Sequence, residues 1–287
     1  MVTPKADISL FDKSFDINNS SQYKLYIELS INGLKQTVLD IANKTFIGIE
    51  IYAFDNVYNE HALIPIVSSI LKENKLFTLK FKNVCLAYVN NRSTLVPNAI
   101  FDNSKLAEYH RFNFSVNTDD YYLADKLINL SATNIFSIPN TITAIFSDIE
   151  NIKFSHFSSA IIERAILQTK NNKALSAIYV NVLENSFQVT IIKNQKLSLY
   201  NSFTYHSNED FMYYLLFVLD QEGINNEEAS IVLTGDIDKQ SSTYNLLIKY
   251  INQIEFASRI NDIGFSYILE EIQPHYHYTL FNQYLCE

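Results

Sequence analysis

Two histidines one residue apart, His275 and His277, the thiol of Cys85, and the acidic pairs Asp119-Asp120 and Glu270-Glu271 are the side chains of this 287-residue chain with the most direct chemistry. Imidazoles at i and i+2 share one face of a strand and could begin a metal site, which needs two or more further ligands. None stands nearby in sequence, although His206 could reach them after folding. The spacing therefore reads as the polar face of a strand, and no metal is expected. A nucleophilic cysteine needs a base and exposure. Cys85 lies in Val84-Cys85-Leu86-Ala87-Tyr88 and reads as a core thiol. Adjacent carboxylates point apart on a strand or helix, so neither acidic pair makes an acid–base dyad, and both read as solvated. No Gly-x-Ser-x-Gly elbow occurs. The chain has five glycines, where its length would ordinarily carry roughly 20. Gly-rich phosphate loops are correspondingly disfavoured.

The elements that must position these residues follow from hydrophobic spacing. Tyr23 to Ile31 alternates apolar and polar residues and predicts a strand. Asn32-Gly33 marks a hairpin turn, because both residues tolerate positive φ. Leu34 to Ile41 and Thr45 to Phe54 are the expected second and third strands. A helix follows, with Pro65 near its start and Ile66, Val67, Ile70 and Leu71 on one face. The second half runs in the same order: strands at Ala177 to Leu183, Phe187 to Lys193 and Leu197 to Tyr205, with a turn at Glu184-Asn185. Ser207 is a good N-cap, with Asp210 three residues on, for a helix that stops before Gly223. That helix is apolar all round from Phe211 to Leu219 and is expected to lie sandwiched between layers. Ala229 to Thr234 is then a short buried strand.

Gly33 and Asn185 are 152 residues apart (185 − 33), as are Thr45 and Leu197 (197 − 45). Two copies of strand-strand-strand-helix-strand at one spacing suggest an internal duplication. Between them, Thr118 to Ile138 reads as a strand pair or a strand plus helix ending at Pro139. Asn140 to Phe146 could start a short helix, and His156 to Gln168 is a stronger one. Lys170-Asn171-Asn172-Lys173 is the best boundary. The expected organisation is an N-terminal arm over 1–21, a first lobe with connecting helix over 22–170, and a second lobe over 171–287.

The fold class expected is α/β with mixed sheets. The stretches LYIELSINGLKQTVLDIANKTFIGIEIYAF, STLVPNAIF, IFSIPNTITAIF, IYVNVLENSFQVTII and LYNSFTYHSNEDFMYYLLFVLDQ touch most of the chain. On them it resembles a bacterial family of unknown function, of the Bacteroidetes type, with the actin, Hsp70 and sugar-kinase fold, also called the actin-like ATPase or ribonuclease H-like fold. More distantly it is similar to the pilus-assembly protein PilM. The resemblance implies two lobes with a central cleft, where ATP and hydrated magnesium would be held by an Asp and by glycines at hairpin turns. Here Glu28 stands at the Asp position of the first hairpin and Ser30 at a Gly position, before Asn32-Gly33. In the second hairpin Asn181 replaces the Asp, and Leu183, Glu184 and Asn185 replace the glycines. The third loop, Gly235-Asp236, keeps one Gly and turns the other into a carboxylate. Carboxylates within a few ångström of a polyphosphate repel it by several kcal/mol at an effective dielectric of about 20. A vestigial cleft without a cofactor is the expectation.

Lys plus Arg is 22 against 31 for Asp plus Glu, a net charge of −9, a poor balance for nucleic acid or anionic membrane. No apolar run is long enough to span a bilayer. The first fifteen residues lack a signal-peptide core, and two distant cysteines suit a reducing compartment, so a cytoplasmic location is expected. Tyr is a preferred interface residue; Tyr276, Tyr278, Phe281 and Tyr284, with little charge between them, read as packing of the last elements onto the second lobe or as a partly exposed face. Three functions remain open: a non-catalytic protein acting through an unknown protein partner, a divergent enzyme binding ATP or a small molecule, and a membrane-associated assembly scaffold like PilM.

Overall fold

Residues 4–171 and 176–287 are described by the structure, a computed structural model. Strands β1 (Ile8–Phe11), β2 (Tyr23–Ser30), β3 (Gly33–Asp40) and β4 (Thr45–Ala53) pair antiparallel in the spatial order β1-β4-β3-β2. Their period-two pattern sends Leu25, Ile27 and Leu29 to one face. There they join Leu63, Val67 and Ile70 of helix α1 (Glu60–Glu73) in a buried cluster. The Asn59 side chain caps α1 by accepting the Ala62 N–H at 3.0 Å. Pro65 is the sixth residue of α1, so the helix forgoes the bond that residue would make to the His61 carbonyl.

β5 (Asn83–Tyr88) runs parallel to β2. An excursion follows, made of β6 (Ser93–Pro97), α2 (Leu106–Arg111), β7 (Asp120–Leu127) and β8 (Ala132–Pro139). Its strands form a separate antiparallel sheet in the order β6-β8-β7, and every residue of β8 is buried. After α3 (Asn140–Ile145), the chain returns to the first sheet as β9 (Ile152–His156), parallel to β5, and turns into α4 (Phe157–Asn171).

The second sheet contains β10 (Ser176–Val182), β11 (Ser186–Lys193) and β12 (Lys196–Thr204), then α5 (Asn208–Gln221), β13 (Ser230–Gly235), α6 (Ser242–Leu247) and β14 (Gln253–Phe256). Its order is β12-β11-β10-β13-β14. The core of the first sheet is β4-β3-β2-β5-β9. In both, three antiparallel strands are followed by two parallel ones. β15 (Gly264–Phe265) then pairs with β4, and α7 (Tyr278–Asn282) is buried. Two compact units result. The first comprises residues up to Ala160, Ile260–Glu271 and Gln283–Glu287; the second comprises Ile161–Arg259 and Ile272–Asn282.

The first unit's main segment closes at Ala160 and the second opens at Ile161, inside α4; Asn172 and Lys173 of the expected boundary lie outside the described residues. Several sequence expectations change. The first hairpin loop is Ile31-Asn32, and neither residue has positive φ. Gly33 begins β3 instead, where a Cβ would lie 2.5 Å from the Tyr52 carbonyl oxygen. Close strand approach, and not turn geometry, requires glycine there. His275 and His277 lie on no strand; His277 has φ +53° in the turn before α7. Asp120 is not solvated: its carboxylate, 1% exposed, forms a two-pronged ion pair with Arg92 at 2.8 Å. Finally, α5 is not buried all round. Phe211, Leu215 and Leu219 enter the second unit's core, while Tyr213 and Phe217 face water.

Leu215 is fully buried between α5 and its sheet. Leu215→Ala is expected to cost about 2–5 kcal/mol in denaturant unfolding, and Tyr213→Ala about 1 kcal/mol or less. Equal costs would contradict the two-faced character of α5.

Candidate functional site

In the second unit, Asn181 lies on β10 directly opposite Gln188 of β11 and beside Thr234 of β13. This register dictates its hydrogen bonds. Asn181 Nδ2 donates to Gln188 Oε1 at 2.7 Å, and Asn181 Oδ1 accepts from Thr234 Oγ1 at 3.0 Å. Gln188 Nε2 continues the row to Ser202 Oγ at 3.1 Å. All three of Asn181, Gln188 and Thr234 are buried, and a buried amide must find such partners. The row is therefore a lateral brace across four strands.

The loop that follows is closed as firmly. Leu183, Glu184 and Asn185 connect β10 to β11, and the Leu183 N–H donates to the Ser186 carbonyl at 2.8 Å. Tyr205 clamps the tip, its hydroxyl on the Leu183 carbonyl at 2.8 Å and its N–H on the Asn185 carbonyl at 3.2 Å. Glu184 and Asn185 are exposed. At the end of β13, Gly235 has φ +87°, and a Cβ there would lie 2.1 Å from the Val182 carbonyl oxygen. Its N–H donates to the His275 carbonyl at 2.9 Å, and the Asp236 N–H donates to the Val182 carbonyl at 2.7 Å. His275 is itself held, its Nε2 2.7 Å from the Ile237 carbonyl oxygen; burial lowers its pKa, the Ile237 bond opposing.

The first unit repeats this placement with different residues. Glu28 is buried on β2, opposite Lys35 of β3, and their charged groups are 3.7 Å apart. Ser30 occupies the turn: its Oγ accepts the Asn32 N–H at 3.1 Å and donates to the Gly33 carbonyl at 3.3 Å. Thus Glu28, Ser30, Asn32 and Gly33 are together at one hairpin, and Asn181, Glu184, Asn185, Gly235 and Asp236 are together at another loop cluster.

Sequence reasoning missed a third group, a buried polar cluster in the first unit. Asp125 Oδ2 accepts from Ser159 Oγ at 2.6 Å and from the His156 N–H at 2.9 Å. Asn134 Nδ2 donates to Ser158 Oγ at 2.8 Å and Ser159 Oγ at 2.9 Å. His156 Nδ1 lies 2.6 Å from Ser158 Oγ and also faces the Ser158 N–H at 3.4 Å. An N–H pointing at Nδ1 makes that nitrogen the acceptor, so the proton sits on Nε2, which donates to Asn90 at 3.1 Å. The residue types are those of a hydrolase triad, but the connections are not. The Asp contacts a second serine and the His backbone, not the ring, and Ser158 is fully buried from any substrate. Burial pushes the Asp125 carboxyl up to about 6 and the His156 imidazole down to about 3. Asp125 Oδ1 and Asn134 Oδ1 lack partners, and these residues are opposite each other in the β7–β8 register. Protonating Asp125 would supply a donor to that pair of acceptors.

Cys85 is buried, its Sγ 3.6 Å from Ser155 Oγ, and burial pushes its pKa up to about 12. A thiol so placed is not a nucleophile at neutral pH. A surface cavity of about 470 Å³ in the first unit is lined by Ser9, Glu50, Tyr52, Glu73 and Asn74, among others. Glu50 there already accepts from Gln36 at 2.6 Å and from Asn74. Among the described residues, no three His, Cys, Asp or Glu side chains converge as metal ligands, and no helix is long and apolar enough to cross a membrane.

The family DUF3822, described as a protein of unknown function, matches residues 12–254. This chain belongs to the DUF3822 family. A Bacteroides thetaiotaomicron protein with actin-like ATPase fold and unknown function is 22% identical, over 87% of this chain and 95% of that one, with a TM-score of 0.77. PilM in the PilM–PilN type IV pilus biogenesis complex is 13% identical, over 92% and 98%, with a TM-score of 0.61. No curated protein matches the chain by sequence. These likenesses establish that this DUF3822 chain has the actin-like ATPase fold, with its mixed α/β sheets.

Two outcomes are expected of this DUF3822 protein. Gly235→Ala combines a positive φ with a backbone collision and should destabilise by about 1 kcal/mol or more in denaturant unfolding; a neutral result would contradict the closed loop. The second concerns pH. Between the usual Asp value of 3.8 and about 6, the folded chain holds the Asp125 proton that the unfolded chain has lost, so Asp125 adds stability as pH falls through 6. Between 6.5 and about 3, the unfolded chain binds the His156 proton that the folded chain refuses, so His156 removes stability as pH falls. The two oppose each other from pH 6 to 4. Asp125→Asn leaves His156 unopposed, and its stability relative to wild type is expected to fall over that interval. Parallel pH profiles for the two proteins would contradict the assignment.

Proposed function

We propose that this chain acts by binding another protein and does not turn over a nucleotide. The observation that carries this reading is the closure of the Gly235-Asp236 loop. In the fold it resembles, such loops offer backbone N–H groups to phosphate; here both N–H groups donate to protein carbonyls, those of His275 and Val182. The side chains lend further support. Asn181, at the position of a magnesium-holding Asp, is hydrogen-bonded within the sheet to Gln188 and Thr234. Glu28, at the matching position of the other unit, pairs with Lys35. Ser30 fills its own turn, and Glu184 adds a carboxylate to an exposed tip. On this reading Glu28, Ser30, Asn32, Gly33, Asn181, Glu184, Asn185, Gly235 and Asp236 are remnants of a nucleotide site kept for structure. The PilM structure of the same fold was solved as a complex with PilN, so a protein-binding use of this fold has a precedent.

We also propose that the two units are repeats of one ancestral half. The identical order and sense of β4-β3-β2-β5-β9 and β12-β11-β10-β13-β14 support this, as do the equivalent places of the 31–32 and 183–185 loops between first and second strands.

The test is a thermal-shift titration with ATP and magnesium at millimolar concentration. No shift is expected. A ligand at 100 times its Kd stabilises by about 2.7 kcal/mol, so a binder of roughly 10 μM would register. A reproducible shift would overturn the non-catalytic reading and favour a divergent nucleotide-binding enzyme.

A further inference from the structure

Along α5, Glu209, Tyr213, Phe217 and Asp220 follow one another at helical spacing and make one stripe on the side away from the sheet. Tyr213 is 65% exposed and Phe217 50%. Their rings stack, centroids 6.4 Å apart and planes at 17°. Tyr213 meets Tyr214 edge-on at 5.5 Å, Tyr214 stacks on Phe203 at 5.4 Å, and Phe203 stacks on the fully buried Phe187 at 5.2 Å. The exposed pair is therefore the outer end of a run of rings rooted in the core. Aromatic side chains already fixed in place lose little freedom on binding, and such residues are the usual anchors of protein interfaces.

The charges of the helix say what would cover them. Between Asn208 and Gln221 stand Glu209, Asp210 and Asp220, with no Lys or Arg. The aromatic pair is bracketed along its stripe by exposed carboxylates at Glu209 and Asp220, about 16 Å apart at 1.5 Å per residue. A second copy packed antiparallel on this face would set Glu209 against the other Asp220, like charge on like. An anionic lipid surface would be repelled as well.

We propose that this face of α5 docks a basic amphipathic segment of another protein, with apolar anchors over Tyr213 and Phe217 and Lys or Arg about three helical turns apart over Glu209 and Asp220. The proposal rests on the protein-binding reading above and adds its place and its partner's chemistry. Charge complementarity of this kind governs partner choice and encounter rate, while the ring pair supplies the buried contact.

The experiment uses fluorescence anisotropy with the full chain and a labelled helical peptide. The probe has a Leu/Phe face with Lys at both ends; its control has Glu in place of Lys. The Lys peptide is expected to bind at least about tenfold tighter than the Glu peptide, to weaken with salt, and to lose about tenfold or more with Tyr213→Ser/Phe217→Ser. A second variant, Glu209→Lys/Asp220→Lys, leaves the rings intact and is expected to reverse the preference toward the Glu peptide, so a failure of the first variant to fold leaves the test standing. No binding of the Lys peptide, equal binding of the two peptides, or binding unchanged in both variants would overturn the proposal. Self-association that the ring variant abolishes would overturn it also, in favour of a second copy on this face. A shift with ATP and magnesium in the separate thermal assay bears on the parent reading alone, so the two failures are told apart.

Discussion

Strand β10 is bonded on both edges, antiparallel to β11 and parallel to β13, and this double pairing is what the second unit's loop end depends on. A side chain in the middle of such a strand has neighbours at fixed distance on either side. Asn181 meets both with its amide, and the row from Thr234 to Ser202 follows. The same register brings the end of β13 alongside the end of β10, so the Val182 carbonyl accepts the Asp236 N–H and leaves no room for a side chain at Gly235. A loop that must remain open for a ligand needs donors left free; here strand β10 takes the Asp236 N–H and the turn at His275 takes that of Gly235. The first unit shows what the same register does with charge, setting Glu28 against Lys35 across one strand pair.

Much of this was legible in the residues. Alternation from Tyr23 onward and the Ser207 cap with Asp210 point to strands and a helix that the structure contains. The candidate residues of each half lie near one another in space, each set on its own loop cluster. What was not legible depends on partners distant in sequence. Asn32-Gly33 has the composition of a turn, but Gly33 answers to the Tyr52 carbonyl on a strand nineteen residues later. Tyr213 and Phe217 have the same hydrophobicity whether protein or water covers them, so an all-apolar helix looked buried. Asp125 resembles any polar residue of an alternating strand until β8, β9 and α4 enclose it. Asp120 reads as solvated from its sequence neighbours because its partner, Arg92, is 28 residues earlier.

The Ser–His–Asp composition of the buried cluster shows why residue types alone do not define a site. A catalytic His must pass a proton between a nucleophile and a substrate, with the carboxylate on its far nitrogen. Here the far nitrogen faces Asn90, the carboxylate holds the backbone of the same His, and the serines bind one another's neighbours. Apart from Asp125 Oδ1 and Asn134 Oδ1, the groups are arranged to satisfy each other, and that is a structural use of polar chemistry.

That cluster also bears on how the first unit assembles. Its members come from the β5–β6 connection, β7, β8 and the β9–α4 junction, segments spread from Asn90 to Ser159. Any arrangement with only some of them in place leaves buried donors and acceptors unmatched, and such half-built states lie uphill. The three-stranded excursion and the first turn of α4 therefore gain order together, and the polar core makes a single cooperative unit of pieces that hydrophobic contact alone would allow to form piecemeal.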